Sequence, residues 1–156
     1  MLLLEQEIAR STRNKTQFAV MLFDIDKFKY INDHYGHEAG DVVLRHVAAK
    51  VHKVIRATDQ VGRLGGDEFV VLQADVKALD DVIQLAKRIY VAAAEPVIYN
   101  EIPLHVSISI GISLFPADAG DTDSLFRCAD EAMYTVKKKG GGNYAFFMHD
   151  ASSTLP

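Results

Sequence analysis

Arg63-Leu-Gly-Gly-Asp-Glu-Phe-Val-Val-Leu72 places two glycines and two carboxylates directly ahead of an apolar run of strand length. The glycines mark a tight turn, so Gln60 to Arg63 and Glu68 to Gln73 are predicted as the arms of a hairpin around Leu64-Gly65-Gly66-Asp67. Alone, the turn reads as a solvated tip, because a motif this short recurs by chance. Phe18-Ala-Val-Met-Leu-Phe23 changes the weighing. An unbroken apolar run of that length implies a central strand covered on both faces, and it ends in Asp24-Ile25-Asp26. If the two strands lie side by side, Asp24, Asp67 and Glu68 meet at one sheet edge. That oxygen-rich set suits a hard cation such as Mg²⁺.

Outward from this pair, the spacing predicts helices over Leu2 to Arg13, Ala39 to Arg56, Leu79 to Ala94 and Asp123 to Lys139. Val97 to Leu104 reads as a small hairpin turning at Asn100-Glu101. His105 to Ser113 alternates Val106, Ile108, Ile110 and Ile112 against small polar residues, a half-polar strand, and Tyr144 to Met148 closes as a last strand. Hairpins mixed with crossover helices give an α+β fold, a mixed, mainly antiparallel sheet flanked by helices. Residues 1–150 are expected to form a single domain and 151–156 a tail.

Composition excludes several classes. The 156 residues are enough for one unstapled core, and with 49 % apolar and 24 % charged residues disorder over most of the length is not expected. No apolar run is long enough to span a bilayer, and Cys128 is the only cysteine, so the domain is expected in the cytoplasm, with any membrane anchor left to the rest of a full-length protein. A net charge of −4 without a basic block argues against nucleic acid as a partner. No Gly-x-x-x-x-Gly-Lys-Ser/Thr occurs, so phosphate contacts would fall to metal, backbone and single lysines.

Between the two acidic strand ends lies the polar stretch Phe28 to Asp41. Asn32 and Asp41 carry groups able to read a guanine edge, although their spacing alone fits a turn and a helix start better. Arg56 and Asp59, three apart, read locally as an ion pair, the alternative being base and phosphate capture by a planar Arg fork.

Asp24-Ile25-Asp26-Lys27-Phe28-Lys29, Ile31-Asn32-Asp33, Gly36-His37, Gly40-Asp41, Arg63 to Phe69, Ser109-Ile110-Gly111 and Ala129 to Tyr134 together resemble the GGDEF domain of bacterial diguanylate cyclases, in register from about Phe18 to Phe147. The resemblance implies a palm-like nucleotide cyclase fold that condenses two GTP into cyclic di-GMP and pyrophosphate, one GTP per subunit of a homodimer. By position, Asp24, Asp67 and the Ile25 carbonyl would hold Mg²⁺ or Mn²⁺. Asp67 or Glu68 would activate the ribose 3′-hydroxyl, Asn32 and Asp41 with nearby His37 would read guanine, and Lys29 and Lys137 would contact phosphate. Gly65 and Gly66 would let the backbone lie against the nucleotide. Arg56-x-x-Asp59, five residues before Gly65, matches the family's inhibitory product site, and Arg88 its secondary arginine.

Two departures stand out. The family's opening Asp-x-Leu-Thr-Gly-Leu segment would lie just before Met1, and sensory or effector domains are expected outside this sequence. Gly141 stands where an arginine that contacts phosphate is common, which is expected to weaken GTP binding by a charge-assisted contact worth about 1.5–3 kcal/mol. The competing reading is a non-catalytic domain that binds GTP or cyclic di-GMP and controls an attached domain such as a phosphodiesterase.

Overall fold

Phe18–Ile25 (β1) sits in the middle of a five-stranded sheet in a computed structural model that describes residues 2–148. Its neighbours are Glu68–Gln73 (β3) and Ile108–Phe115 (β6), both antiparallel, with Gln60–Gly65 (β2) outside β3 and Asn143–Phe146 (β7) parallel to β6 at the other edge. The expected mixed, mainly antiparallel sheet is therefore present. Seven of the eight β1 residues are buried because both faces are covered. Ala19, Met21, Phe23 and Ile25 pack toward His37–Val54 (α3) and Leu79–Ala93 (α4) through Val43, Val47, Leu85 and Ile89. Phe18, Val20 and Leu22 face Leu2–Asn14 (α1) and Thr122–Lys138 (α5) through Leu4, Leu125, Ala129 and Met133. Val97–Tyr99 (β4) and Ile102–Leu104 (β5) form the separate hairpin.

Several boundaries differ from expectation, the last strand among them, which runs Asn143–Phe146 and not to Met148. The polar stretch read as a turn holds a helix, Phe28–Tyr35 (α2), because Phe28, Ile31 and Tyr35 make an apolar stripe that packs on the core beside α3. The following helix ends at Val54, leaving Arg56 in a turn closed by its N–H to Asp59 Oδ2 at 3.0 Å and by Asp59 N–H to its carbonyl at 3.0 Å. The alternating strand starts at Ile108 and runs on to Phe115, while Ser107 is diverted to Asp26. The expected tail, 151–156, lies outside the described residues.

Candidate active site

Antiparallel pairing sets Asp24 directly opposite Glu68 on β3 and Ser109 on β6, so side chains at these positions share one face of the sheet. The hairpin is tighter than expected. β2 continues to Gly65, which pairs with Glu68 after a register shift at Leu64, so only Gly66 and Asp67 form the turn. Gly66 has φ +51°, a left-handed value that costs a glycine little, and Arg63 Nε clasps the turn by donating to the Gly66 carbonyl at 2.8 Å. Ile25 buries its side chain on the opposite face, leaving only its backbone to the site.

Charge is concentrated here. Lys137, near the end of α5, brings its ammonium 2.6 Å from Asp24 Oδ1 and 3.6 Å from Asp26 Oδ1. Asp24 Oδ1 is buried, and the Lys137 ammonium is the one partner it has among the described residues. Burial pushes the Asp24 carboxyl up to about 6. Lys137 opposes that rise, and the Asp67 and Asp26 charges add to it. For Lys137, burial works against the charged form and is overcome by Asp24, with Asp26 and Asp67 adding, so its pKa is raised. A buried carboxylate oxygen facing further acids, with a single lysine as its partner, fits a hard divalent cation, Mg²⁺ or Mn²⁺. Among the described residues no three of His, Cys, Asp and Glu converge as a ligand cluster. Such a site supplies a minority of the ligands, which is how Mg²⁺ is usually held when phosphates and water complete its shell.

The expected guanine readers are brought together by a glycine. A Cβ on Gly40 would overlap Asn32 Oδ1 and stand 3.0 Å from Asn32 Cγ, so its absence lets the Asn32 amide lie against α3 one residue before Asp41. His37 is exposed in the first turn of α3, and Lys29 is exposed in the first turn of α2.

Arg56 and Asp59 lie at the far end of the hairpin, six β2 residues from the glycine turn, a separation of about 20 Å at strand rise. They form the local ion pair, with Arg56 Nη2 3.1 Å from Asp59 Oδ1, and Asp59 has no exposed side-chain surface. Arg56 Nη2 also donates to the Ala74 carbonyl at 2.7 Å while Ala74 N–H donates to Asp59 Oδ1 at 3.2 Å, pinning this turn to the end of β3. Arg88 is exposed on α4, and no bond joins it to that pair among the described residues.

Sequence reasoning left Asp26 and two serines without roles. Ser107 and Ser109 donate to Asp26 at 2.6 and 2.5 Å, and Gly142 N–H donates to it at 2.8 Å. The two-residue spacing from Asp24 and the small polar alternation of Ser107 and Ser109 were the available signals. Gly141, where an arginine was expected, has φ +75°, and a Cβ there would lie 2.9 Å from Asp26 Oδ1. A side chain at 141 would require the Asp26 carboxylate to shift.

The comparisons bear on the family and the fold. The family model "Diguanylate cyclase, GGDEF domain" matches residues 2–143. The bifunctional diguanylate cyclase/cyclic di-GMP phosphodiesterase MucR of Pseudomonas aeruginosa is 40 % identical over 144 residues, 92 % of this chain and 21 % of MucR. The diguanylate cyclase TpbB of the same species is 36 % identical over 90 % of this chain and 32 % of TpbB. The chain thus spans a fifth to a third of these curated relatives. The crystal structure of the TpbB GGDEF domain superposes with a TM-score of 0.90 at 34 % identity, covering 93 % of this chain and 91 % of that one. The GGDEF domain of DgcB from Caulobacter crescentus, in complex with c-di-GMP, gives a TM-score of 0.82 at 26 % identity over 90 % of this chain and 84 % of that one. With a family model spanning nearly all of its described residues and the matching sheet built around the Gly-Gly-Asp-Glu-Phe turn, the chain belongs to the diguanylate cyclase GGDEF domain family.

Proposed function

We propose that the chain is itself a working diguanylate cyclase, and the observation that carries the reading is the pairing of Asp24 with the Gly-Gly-Asp-Glu turn at one sheet edge beside Lys137. The 3′-oxygen of one GTP attacks the α-phosphorus of a second, pyrophosphate leaves, and the exchange repeated in the other direction closes the ring. Asp67 or Glu68 accepts the hydroxyl proton. Lys29 and Lys137 hold phosphate oxygens, Asn32 and Asp41 hold guanine with His37 nearby, and Gly65-Gly66 gives the nucleotide backbone room. Asp24, Asp67 and the Ile25 carbonyl would hold the divalent cation. When bound, it neutralises triphosphate charge and acidifies the attacking hydroxyl. Each copy offers one such edge, so two copies must face each other for product to form. Purified chain given GTP and Mg²⁺ should therefore turn over at a rate rising with the square of protein concentration while the dimer is dilute. A rate linear down to the lowest concentration opposes a two-subunit site. The single domain expected over residues 1–150 would be this catalytic domain, working beneath input or output domains of a longer protein.

The guanine assignment has a specific test. Gly40→Ala meets the movable end of Asn32 and, at 3.2 Å, the edge of the Phe28 ring, so it should displace that amide with a modest loss of stability while weakening GTP binding about tenfold and leaving ATP binding unchanged. Calorimetric titration with both nucleotides checks this, and equal losses for GTP and ATP would remove Asn32 as a reader.

Product feedback is proposed at Arg56, with Asp59 as its anchor and Arg88 as a further contact. Arg56 keeps 48 % of its side-chain surface exposed although Asp59 is sealed, so the guanidinium is the group a ligand could reach. Arg56→Ala should raise the cyclic di-GMP concentration needed for half-inhibition at least tenfold, with melting followed in parallel because Asp59 loses its partner. Unchanged inhibition in a folded variant removes the claim. The second reading, nucleotide binding without turnover, is favoured by one observation, Gly141 in place of the arginine in a left-handed turn crowded by the Asp26 carboxylate.

A further inference from the structure

Asp26 has no part in the roles assigned above, yet its carboxylate is the most heavily bonded group at this sheet edge. Ser109 donates to Oδ1, Ser107 and Gly142 N–H donate to Oδ2, and the Asp26 amide is itself fixed by donating to the Ser107 carbonyl at 2.9 Å. The donors come from β6, from the residue before it and from the turn before β7, so the carboxylate is held from three sides. Asp24 is the opposite case, a buried oxygen whose one partner among the described residues is a lysine. The ammonium of Lys137 lies between them, 2.6 Å from Asp24 and 3.6 Å from Asp26, on a side chain that keeps 34 % of its surface.

A lysine ammonium and a divalent cation cannot share one buried carboxylate oxygen, because at such separations their repulsion is large wherever water is excluded. Lys137 then has to leave Asp24 Oδ1. A half-buried ammonium without a counter-ion is costly, and Asp26 is the carboxylate already within reach. We propose that Lys137 is the resident counter-ion of Asp24 in the unliganded chain, and that Asp26 is the second seat that takes its ammonium when a divalent cation claims Asp24 before nucleotide phosphate is there to receive it. Asp26 is then a positioning residue, acting through Lys137 and kept from turning toward a cation by its own three donors. The inference rests on the reading that Asp24 receives such a cation.

The test is direct binding of Mn²⁺ to the nucleotide-free chain, followed by loss of the electron paramagnetic signal of free aqueous Mn²⁺. Lys137→Met should tighten binding about tenfold, whereas Lys138→Met, the same charge change on the adjacent exposed residue, should stay within about twofold of the parent. Asp26→Asn should weaken binding about tenfold in the parent but have little effect in the Lys137→Met background, since it then has no ammonium to receive. A Lys137→Met affinity no tighter than that of Lys138→Met overturns the proposal. So does an Asp26→Asn loss of equal size with and without Lys137, which would mean that Asp26 acts on the cation itself. Should Asp26→Asn fail to fold, the comparison of the two lysine variants decides alone. If parent and Asp24→Asn bind Mn²⁺ equally, the cation reading of Asp24 fails first and this inference with it.

Discussion

Asp24→Asn is expected to lower GTP condensation by about 10³-fold and at the same time to make the chain harder to melt at neutral pH. The Asp24 carboxyl sits at about 6 in the folded chain against an ordinary 3.8, chiefly because it is buried. A folded-state pKa above the unfolded one means that folding favours the protonated acid. The stability this contributes is complete below the unfolded value and is lost as pH rises through about 6. At neutral pH the ionised Asp24 is therefore a burden on the fold, kept for the cation it serves. Asparagine copies the neutral acid and should recover about 1–3 kcal/mol, a gain that shrinks as pH falls from about 6 toward 3.8 and is already smaller at about pH 5. Melting curves at both pH values, taken without metal, check this. An Asn variant that melts below the parent at neutral pH, or that keeps most of the turnover, would mean that Asp24 is an ordinary structural acid.

Gly111→Ala should cost about 3 kcal/mol or more and lower the melting temperature by roughly 6–12 °C, or prevent folding. A Cβ on Gly111 would overlap the Ala129 carbonyl and the Met133 amide and come within 2.9 Å of Met133 Cα. These are backbone atoms of α5 where it crosses β6, so the helix itself would have to move. Because Lys137 lies one turn beyond Met133 on that helix, a folded Gly111→Ala chain should also lose the Lys137 contact to Asp24. The contrast with Gly40 is instructive, since there the obstructed atom ends a side chain and the expected loss is in binding. A Gly111→Ala variant as stable as the parent would show that α5 can retreat from the strand freely.

The sequence disclosed the central strand because an apolar run covered on both faces needs no partner to be recognised. It disclosed the glycine hairpin because the turn chemistry is local, and the meeting of the two acidic ends followed from placing those strands side by side. The helix over Phe28–Tyr35 was hidden for a physical reason. It is eight residues long, begins at left-handed Lys27 and ends at Gly36, and its apolar stripe has only three members among many polar residues. Asp26 was hidden differently, because its donors Ser107, Ser109 and Gly142 lie 81, 83 and 116 residues away along the chain. Gly111 looks like any small residue on the polar side of an alternating strand until α5 is laid across it. The local Arg56–Asp59 pair was legible from its spacing of three, but its closure onto Ala74 depends on β3 returning to that point.

Product identification by mass after incubation of the purified chain with GTP and Mg²⁺ tests the central claim most directly. Cyclic di-GMP with two equivalents of pyrophosphate, absent when Asp24→Asn replaces the parent, is the expected result. Recovery of unchanged GTP from a folded, dimeric chain that demonstrably binds it would contradict the account and leave a nucleotide-binding regulatory domain in its place.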